Sequence, residues 1–261
     1  MSRKLEIGSN FWLTKEDLQE LSPLEESVYG LDKWKYCVLT SSGRGAIKLL
    51  FQQLPQVRRA LLPIYTCGSV INPIESLGIE CHFYPINRQL EVNVDRLMDM
   101  VEREHPDSVY FQSYYGFDTL ASVRPYYKDL QDKGIIVVED ITHSWLSDFN
   151  TIEADYSVVS LRKWLQLPDG GALLSNKHVI GQIPQYGESD KIVAEFLKAS
   201  EGKERYFQTL DPADKQEFRQ HYVNVKDLLQ QDDAPHIISK IACSVLAKAD
   251  YEWIIKRRRE N

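Results

Sequence analysis

The sequence predicts an α/β protein: a mostly parallel sheet flanked by helices, followed by a helical C-terminal segment. Three observations predict it. Short apolar, β-branched runs alternate with amphipathic stretches from Lys35 to Asn176, the rhythm of parallel strands joined by crossover helices. The composition, 43% hydrophobic and 26% charged over 261 residues, suits one large α/β domain with helical elaboration. After Asn176 the chain turns to charged segments of helical spacing, which separates a domain over residues 1–180 from a helical segment over 181–261.

The elements follow in order. Thr14 to Leu21 reads as a short helix with Thr14 as N-cap. Lys35 to Thr40 is strand-like, and Ser41 to Gly45 (SSGRG) breaks it. Ala46, Ile47, Leu49, Leu50 and Leu54 then form a helical face. Arg59 to Leu62 is a brief buried strand stopped by Pro63. Thr66 to Leu77 is a helix that Pro73 kinks or restarts, and Gly78 ends it. Strands over Ile79–Tyr84, Ser108–Ser113 and Ile135–Val138 alternate with helices over Asn93–Glu104 and Val123–Lys133. DYSVVS and ALLSN continue the sheet. Beyond it, KIVAEFLKAS, EFRQHYVNVKDLLQ and residues 235 to 257 carry helical spacing, the last with Ile237, Ile238, Ile241, Ala242 and Leu246 on one side.

The formal net charge of −7 argues against a nucleic-acid partner. Cys37, Cys67, Cys81 and Cys243 show no close pairing and no metal spacing, as expected of reduced thiols in a cytoplasmic protein. MSRKLEIGSN lacks the apolar core of a signal peptide, and no apolar run approaches the ~20 residues of a membrane span. The expectation is a cytoplasmic protein without a metal or a membrane.

Candidate chemistry gathers beyond the carboxyl ends of the strands, where open α/β sheets bind ligands. Asp140 closes an Ile/Val strand, His143 follows, and Ser160-Leu-Arg-Lys163 ends the next strand before Asp169-Gly170-Gly171. A fixed carboxylate can hold a protonated ring nitrogen, and a desolvated amine can form a Schiff base with an aldehyde. Pyridoxal 5′-phosphate (PLP) needs both, together with a phosphate cup. SSGRGA at a strand-to-helix junction offers one, through Ser41 and Ser42 hydroxyls, a closely approaching backbone and a helix N-terminus. Each residue has a plainer account. The loop is a common βα turn, Asp140 an N-cap or surface turn, His143 a satisfied structural histidine, and Lys163 a solvated amine.

In SSGRGA, LLPIYTCGSVINPIESLG, VVEDITHS and SLRK…PDGGALLSN the sequence resembles the fold-type I PLP enzymes, and most the DegT/DnrJ/EryC1/StrS sugar aminotransferases, over roughly residues 35 to 176. The resemblance implies that Gly43 and Arg44 form the phosphate turn, that Asp140 binds the pyridine nitrogen and that His143 lies near the cofactor. It makes Lys163 the Schiff-base lysine, with Ser160 a neighbour of the phosphate or of the lysine. Three features depart from the family: Gly43-Arg44 replaces Gly-Thr, Cys67 stands where a ring often stacks (Tyr65 lies two before), and SLRKW replaces SFHxxK. The implied activity is amino transfer between a small amino donor and a keto acceptor such as a keto-sugar nucleotide, in a homodimer. Other PLP reactions (lyase, dehydratase) and a non-catalytic binding domain are the alternatives. IIKRRREN has no closing cap, and the resemblance implies a small domain beyond it that is missing here and would complete the substrate site.

Overall fold

The computed structural model of the chain describes residues 11–19, 21–24, 27–181, 187 and 189–260. The MSRKLEIGSN stretch lies outside them. The strands are β1 (Tyr36–Thr40), β2 (Arg59–Pro63), β3 (Glu80–Tyr84), β4 (Ser108–Gln112), β5 (Ile136–Asp140), β6 (Tyr156–Val159) and β7 (Gly171–Ser175). They form one sheet in the order β1-β7-β6-β5-β4-β2-β3. Pairs from β3 through β6 are parallel, whereas β7 runs antiparallel to both β1 and β6.

Helices cover both faces, as a parallel sheet with two apolar faces requires. On one face α1 (Gly43–Gln52) and α2 (Gly68–Glu75) bury Leu50, Val70 and Ile74 against Leu62, Tyr110, Val138 and Leu173. On the other, α3 (Val94–Glu104) and α4 (Tyr127–Asp132) bury Leu97, Val101 and Leu130 against Leu61, Val109, Phe111 and Val137. The strand residues alternate between the two clusters, the period-2 signature of a pleat.

The C-terminal helices α5 (Asp190–Thr209), α6 (Pro212–Gln231), α7 (Lys240–Lys248) and α8 (Tyr251–Glu260) share a core with the sheet. Phe196, Val225, Leu229, Ala242 and Leu246 are buried with Val159, Leu161, Ala172 and Leu174. Each such side chain contributes about 1.5–3 kcal/mol when fully buried.

Local chemistry moves several expected boundaries. Ser42 Oγ accepts the Gly45 N–H at 3.0 Å, so the segment read as a break, Gly43 to Gly45, is instead the first turn of α1. Pro125 lacks an N–H, and the helix expected over Val123–Lys133 divides into a 3-10 turn at Arg124–Tyr126 and then α4. The helical run over residues 235–257 also divides. Ala249 is extended, and Asp250 Oδ1 accepts the Trp253 N–H at 2.9 Å to start α8. Ile237 lies before α7, bridged to Thr40 and 47% exposed rather than on the apolar side. At the N-terminus the helix shrinks to a 3-10 turn, Glu16–Leu18, whose N-cap is Lys15 rather than Thr14; Thr14 Oγ1 still accepts the Asp17 N–H at 3.3 Å.

Beneath the sheet, Glu139 of β5 is fully buried. Arg124 Nη2 donates to its carboxylate at 3.2 Å, the Tyr127 hydroxyl donates at 3.0 Å, and Asp118 also pairs with Arg124. Burial pushes the Glu139 carboxyl above the usual range, opposed chiefly by Arg124.

Candidate active site

The carboxyl ends of β4, β5 and β6 and the N-terminus of α1 meet in one cleft of about 860 Å³, with Phe196 of α5 and Arg219, Tyr222 and Lys226 of α6 on its wall. Ser42, Gly43, Arg44, Cys67, Asp140, His143, Ser160 and Lys163 all line it. A second cleft, lined by Tyr115, Phe117, Trp253 and Arg258, shares Thr142, His143 and Lys163 with the first. Lys163 therefore stands where the two clefts meet.

Asp140 is 4% exposed at the end of β5. Its Oδ2 accepts the Tyr110 hydroxyl at 2.8 Å and its Oδ1 accepts the Thr142 N–H at 2.8 Å. Two donors fix the carboxylate's plane while leaving lone pairs for a third. Burial, reinforced by Asp140, holds the Tyr110 hydroxyl well above its ordinary pKa, so it stays a donor.

Thr142 carries this geometry to the lysine. Its hydroxyl accepts the Ser160 N–H at 3.0 Å, and its carbonyl accepts Trp164 Nε1 at 2.7 Å. Ser160 through Trp164 encloses a 3-10 turn, Leu161–Lys163. The Lys163 side chain is exposed, where sequence reasoning expects a desolvated amine. It projects from a single turn between two open clefts, so no apolar wall closes over it.

The phosphate-capable end is built by close approach. A Cβ on Gly43 would lie 3.0 Å from Ser160 Cβ, and one on Gly171 would lie 2.4 Å from the Ser42 carbonyl carbon. Bare backbone at both positions lets the α1 N-terminus sit directly against the lysine turn. With Ser42 satisfying Gly45, the Gly43 and Arg44 N–H groups have no intrahelical acceptor and carry the positive end of the helix dipole.

Buried nitrogens without partners mark where a ligand fits. Among the described residues Arg44 Nη1, Arg162 Nε and His143 Nδ1 are buried with no hydrogen-bond partner, and all three residues line the cleft. Leaving such a group unpaired costs about 1–3 kcal/mol. The two guanidinium donors, beside a helix N-terminus, fit an anionic ligand that brings acceptors, and His143 offers a third unpaired nitrogen. Burial lowers the Arg162 pKa to about 10, with Asp169 opposing, so the side chain remains cationic at neutral pH.

His143 stacks on Tyr115 at 5.2 Å and 19°, and Tyr115 shares a 2.9 Å hydrogen bond with the Tyr65 hydroxyl. Burial lowers its pKa below the ordinary histidine value, Asp140 opposing and Lys163 reinforcing the shift. A neutral imidazole with a free Nδ1 results. Cys67 caps the start of α2, its Sγ 2.5 Å from Ser69 Oγ. Among the described residues no cluster of His, Cys, Asp or Glu could hold a metal ion, and no helix is long and apolar enough to cross a membrane.

No family model matches the sequence, and no curated protein matches it either. Solved structures do. A structure described as a PLP-dependent aminotransferase from Bacillus cereus ATCC 10987 is 13% identical with a TM-score of 0.53, over 88% of this chain and 57% of that one. Fold-type I PLP-dependent transferases have this fold. PseC of Helicobacter pylori, an aminotransferase involved in pseudoaminic acid biosynthesis, is 16% identical with a TM-score of 0.52, over 64% of this chain and 51% of its own. DesI, solved in the presence of its TDP-sugar product, is 17% identical with a TM-score of 0.50, over 67% and 43%. The chain thus spans about half the length of these matched proteins.

On this transferase fold, sequence reasoning misses Tyr110, Thr142, Arg162 and Trp164. Tyr110 had a usable signal, since it lies one strand away from Asp140 on the same face of SVYFQ. Thr142 and Trp164 had none, because their partners are 18 and 22 residues away.

Gly171→Ala should strain the junction between β7 and the α1 N-terminus, because backbone cannot retreat as a flexible side chain can. We expect a stability loss at or above the ~1–3 kcal/mol of overpacked cores, read by urea denaturation. A variant as stable as wild type would show that the junction yields freely.

Proposed function

We propose that the chain binds PLP in the cleft and transfers an amino group between a small amino donor and a keto acceptor. The convergence of Asp140, the α1 N-terminus with the unpaired Arg44 Nη1, and Lys163 on one cavity carries this reading. When bound, PLP supplies an aldehyde that condenses with amines and a ring that accepts an electron pair. The residues supply the rest.

Ser42, Gly43 and Arg44 would hold the phosphate through backbone N–H groups and the guanidinium, with the Ser160 hydroxyl beside them. Asp140, oriented by its hydrogen bonds from Tyr110 and Thr142, would hold a protonated ring nitrogen. His143 would lie near the ring with Nδ1 toward the cavity, and Cys67 would form part of the wall. Lys163 would be the condensing amine, and its Nζ would take and return the proton at the reacting carbon. A homodimer belongs to the same reading, on the family resemblance. A keto-sugar nucleotide is the favoured acceptor, because DesI was solved with a TDP-sugar product.

The exposure of Lys163 favours one alternative, a PLP-binding domain that lacks turnover. One experiment separates the readings. Purified protein is mixed with PLP, reduced with borohydride and mapped by mass spectrometry. A visible band and an adduct on Lys163 are expected, and amino donors should discharge the band. Absence of both band and adduct would sink the PLP reading; a band that no donor discharges would favour the binding domain.

A further inference from the structure

Arg258 of helix α8 reaches the main chain of the lysine turn. Arg258 Nη2 donates to the Lys163 carbonyl at 3.1 Å, and its guanidinium lies over the Trp164 ring at 4.0 Å. Trp164 is held from the other side, by its indole bond to the Thr142 carbonyl and by Trp145 packed edge-on at 6.1 Å. Leu161, fully buried, ties the start of the turn to the residue before β7 by donating its N–H to the Gly170 carbonyl at 3.2 Å, and the bonds within the turn are few. Lys163 N–H reaches Ser160 at 3.3 Å and Trp164 N–H reaches Leu161 at 3.0 Å. A single 3-10 turn leaves its last carbonyls without internal donors, and short runs of this helix have weak hydrogen-bond geometry.

Helix α8 is otherwise attached by Ile254 and Ile255, half-buried against the core that contains Leu161 and Trp164, and by rings and an ion pair. Tyr251 stacks on Tyr29 at 4.8 Å and meets Trp145 at 5.9 Å, and Arg259 pairs with Asp148. No residue of α8 is buried. Its anchoring at Tyr251 thus fixes where Arg258 reaches the turn, one end held by aromatic packing and the other gripping main chain.

We propose that Arg258 is a positioning residue for Lys163, clamping the main chain of its turn between the Lys163 carbonyl and the Trp164 ring. The turn is then held on two sides. Asp140, Thr142 and Ser160 tie it to β5, and Arg258 ties it to α8. Because the Lys163 side chain is exposed, its direction depends on this main chain rather than on a surrounding wall. The catalytic meaning of the clamp rests on the PLP reading; the clamp itself does not.

The test uses Arg258→Met, which keeps much of the aliphatic stem, and Arg258→Lys, which can donate to the carbonyl but cannot lie flat on indole. In protein without PLP, hydrogen exchange at the Lys163 and Trp164 amides should quicken about tenfold in R258M, the scale of one lost charge-assisted hydrogen bond with its cation–π contact. With PLP, borohydride trapping on Lys163 should slow by a similar factor. Binding of pyridoxine 5′-phosphate, which has no aldehyde, should stay within twofold of wild type. R258K should recover part of the exchange and trapping losses. Wild-type exchange and trapping in R258M would overturn the proposal. So would an equal loss of pyridoxine phosphate binding, since Arg258 would then serve the whole pocket. If wild-type protein traps no PLP, the cofactor reading falls, and the exchange arm still decides the clamp.

Discussion

On the proposed PLP reading, Lys163→Ala is expected to abolish the visible PLP band and the borohydride adduct and to lower amino transfer by at least about 10²–10⁴-fold, the usual worth of a positioned acid–base group. The loss should exceed that range if condensation with the amine is also required. The cleft supplies its own control. Lys226 of α6 lines the same cavity, and among the described residues no hydrogen bond or ion pair joins it to Asp140. Lys163 does, through Ser160, Thr142 and the two hydrogen bonds of Thr142 described above. Lys226→Ala should therefore retain the band and the adduct. If K226A loses them while K163A keeps them, the reactive amine belongs to α6 and the assignment of the lysine turn is wrong. Because Lys163 is exposed, K163A should unfold at the same urea concentration as wild type, so lost activity cannot be assigned to lost folding.

Arg124→Met should cost about 3–5 kcal/mol of folding stability, the range for breaking a buried ion pair from one side. Glu139, fully buried, would keep only the Tyr127 hydroxyl as a partner among the described residues, and a neutral donor cannot neutralise its charge. The sign of the pH dependence follows. The folded-state carboxyl is already raised above its unfolded value of about 4.3, and removing Arg124, which opposes the shift, raises it further. Such a group stabilises the fold below the unfolded pKa and loses that contribution as pH rises through the folded pKa. The R124M deficit should thus shrink near pH ~4.5 and widen toward pH ~8. Arg124→Met with Glu139→Gln should recover part of the loss. A deficit of similar size across that pH range would show that packing around Arg124, rather than the unpaired carboxylate, sets the cost.

Much of the sheet was legible because its strands are short, apolar and β-branched, as in VVED and DYSVVS. The rule that ligands gather at strand ends also points to the region of Asp140 and Lys163, and both line the cleft there, although Lys163 is exposed rather than desolvated. What the sequence hides is of two kinds. Local capping was under-read: the hydroxyl of Ser42 recruits Gly43 to Gly45 into α1, and Asp250 restarts the chain as α8. Long-range partners were invisible: Arg258 is 95 residues from the carbonyl it grips, and no periodicity connects the two. The cationic face of α6 across the cleft, Arg219 and Lys226, is hidden for the same reason. It depends on how a helical hairpin lies over a sheet.

Glu139 and Asp140 are neighbours in sequence and strangers in space. The pleat of β5 sends one carboxylate down to Arg124 and the other up to Tyr110 and the cleft. A slip of β5 by one residue against its neighbours would exchange the two, turning Glu139 toward the cleft and Asp140 toward Arg124, so both arrangements depend on a single strand register.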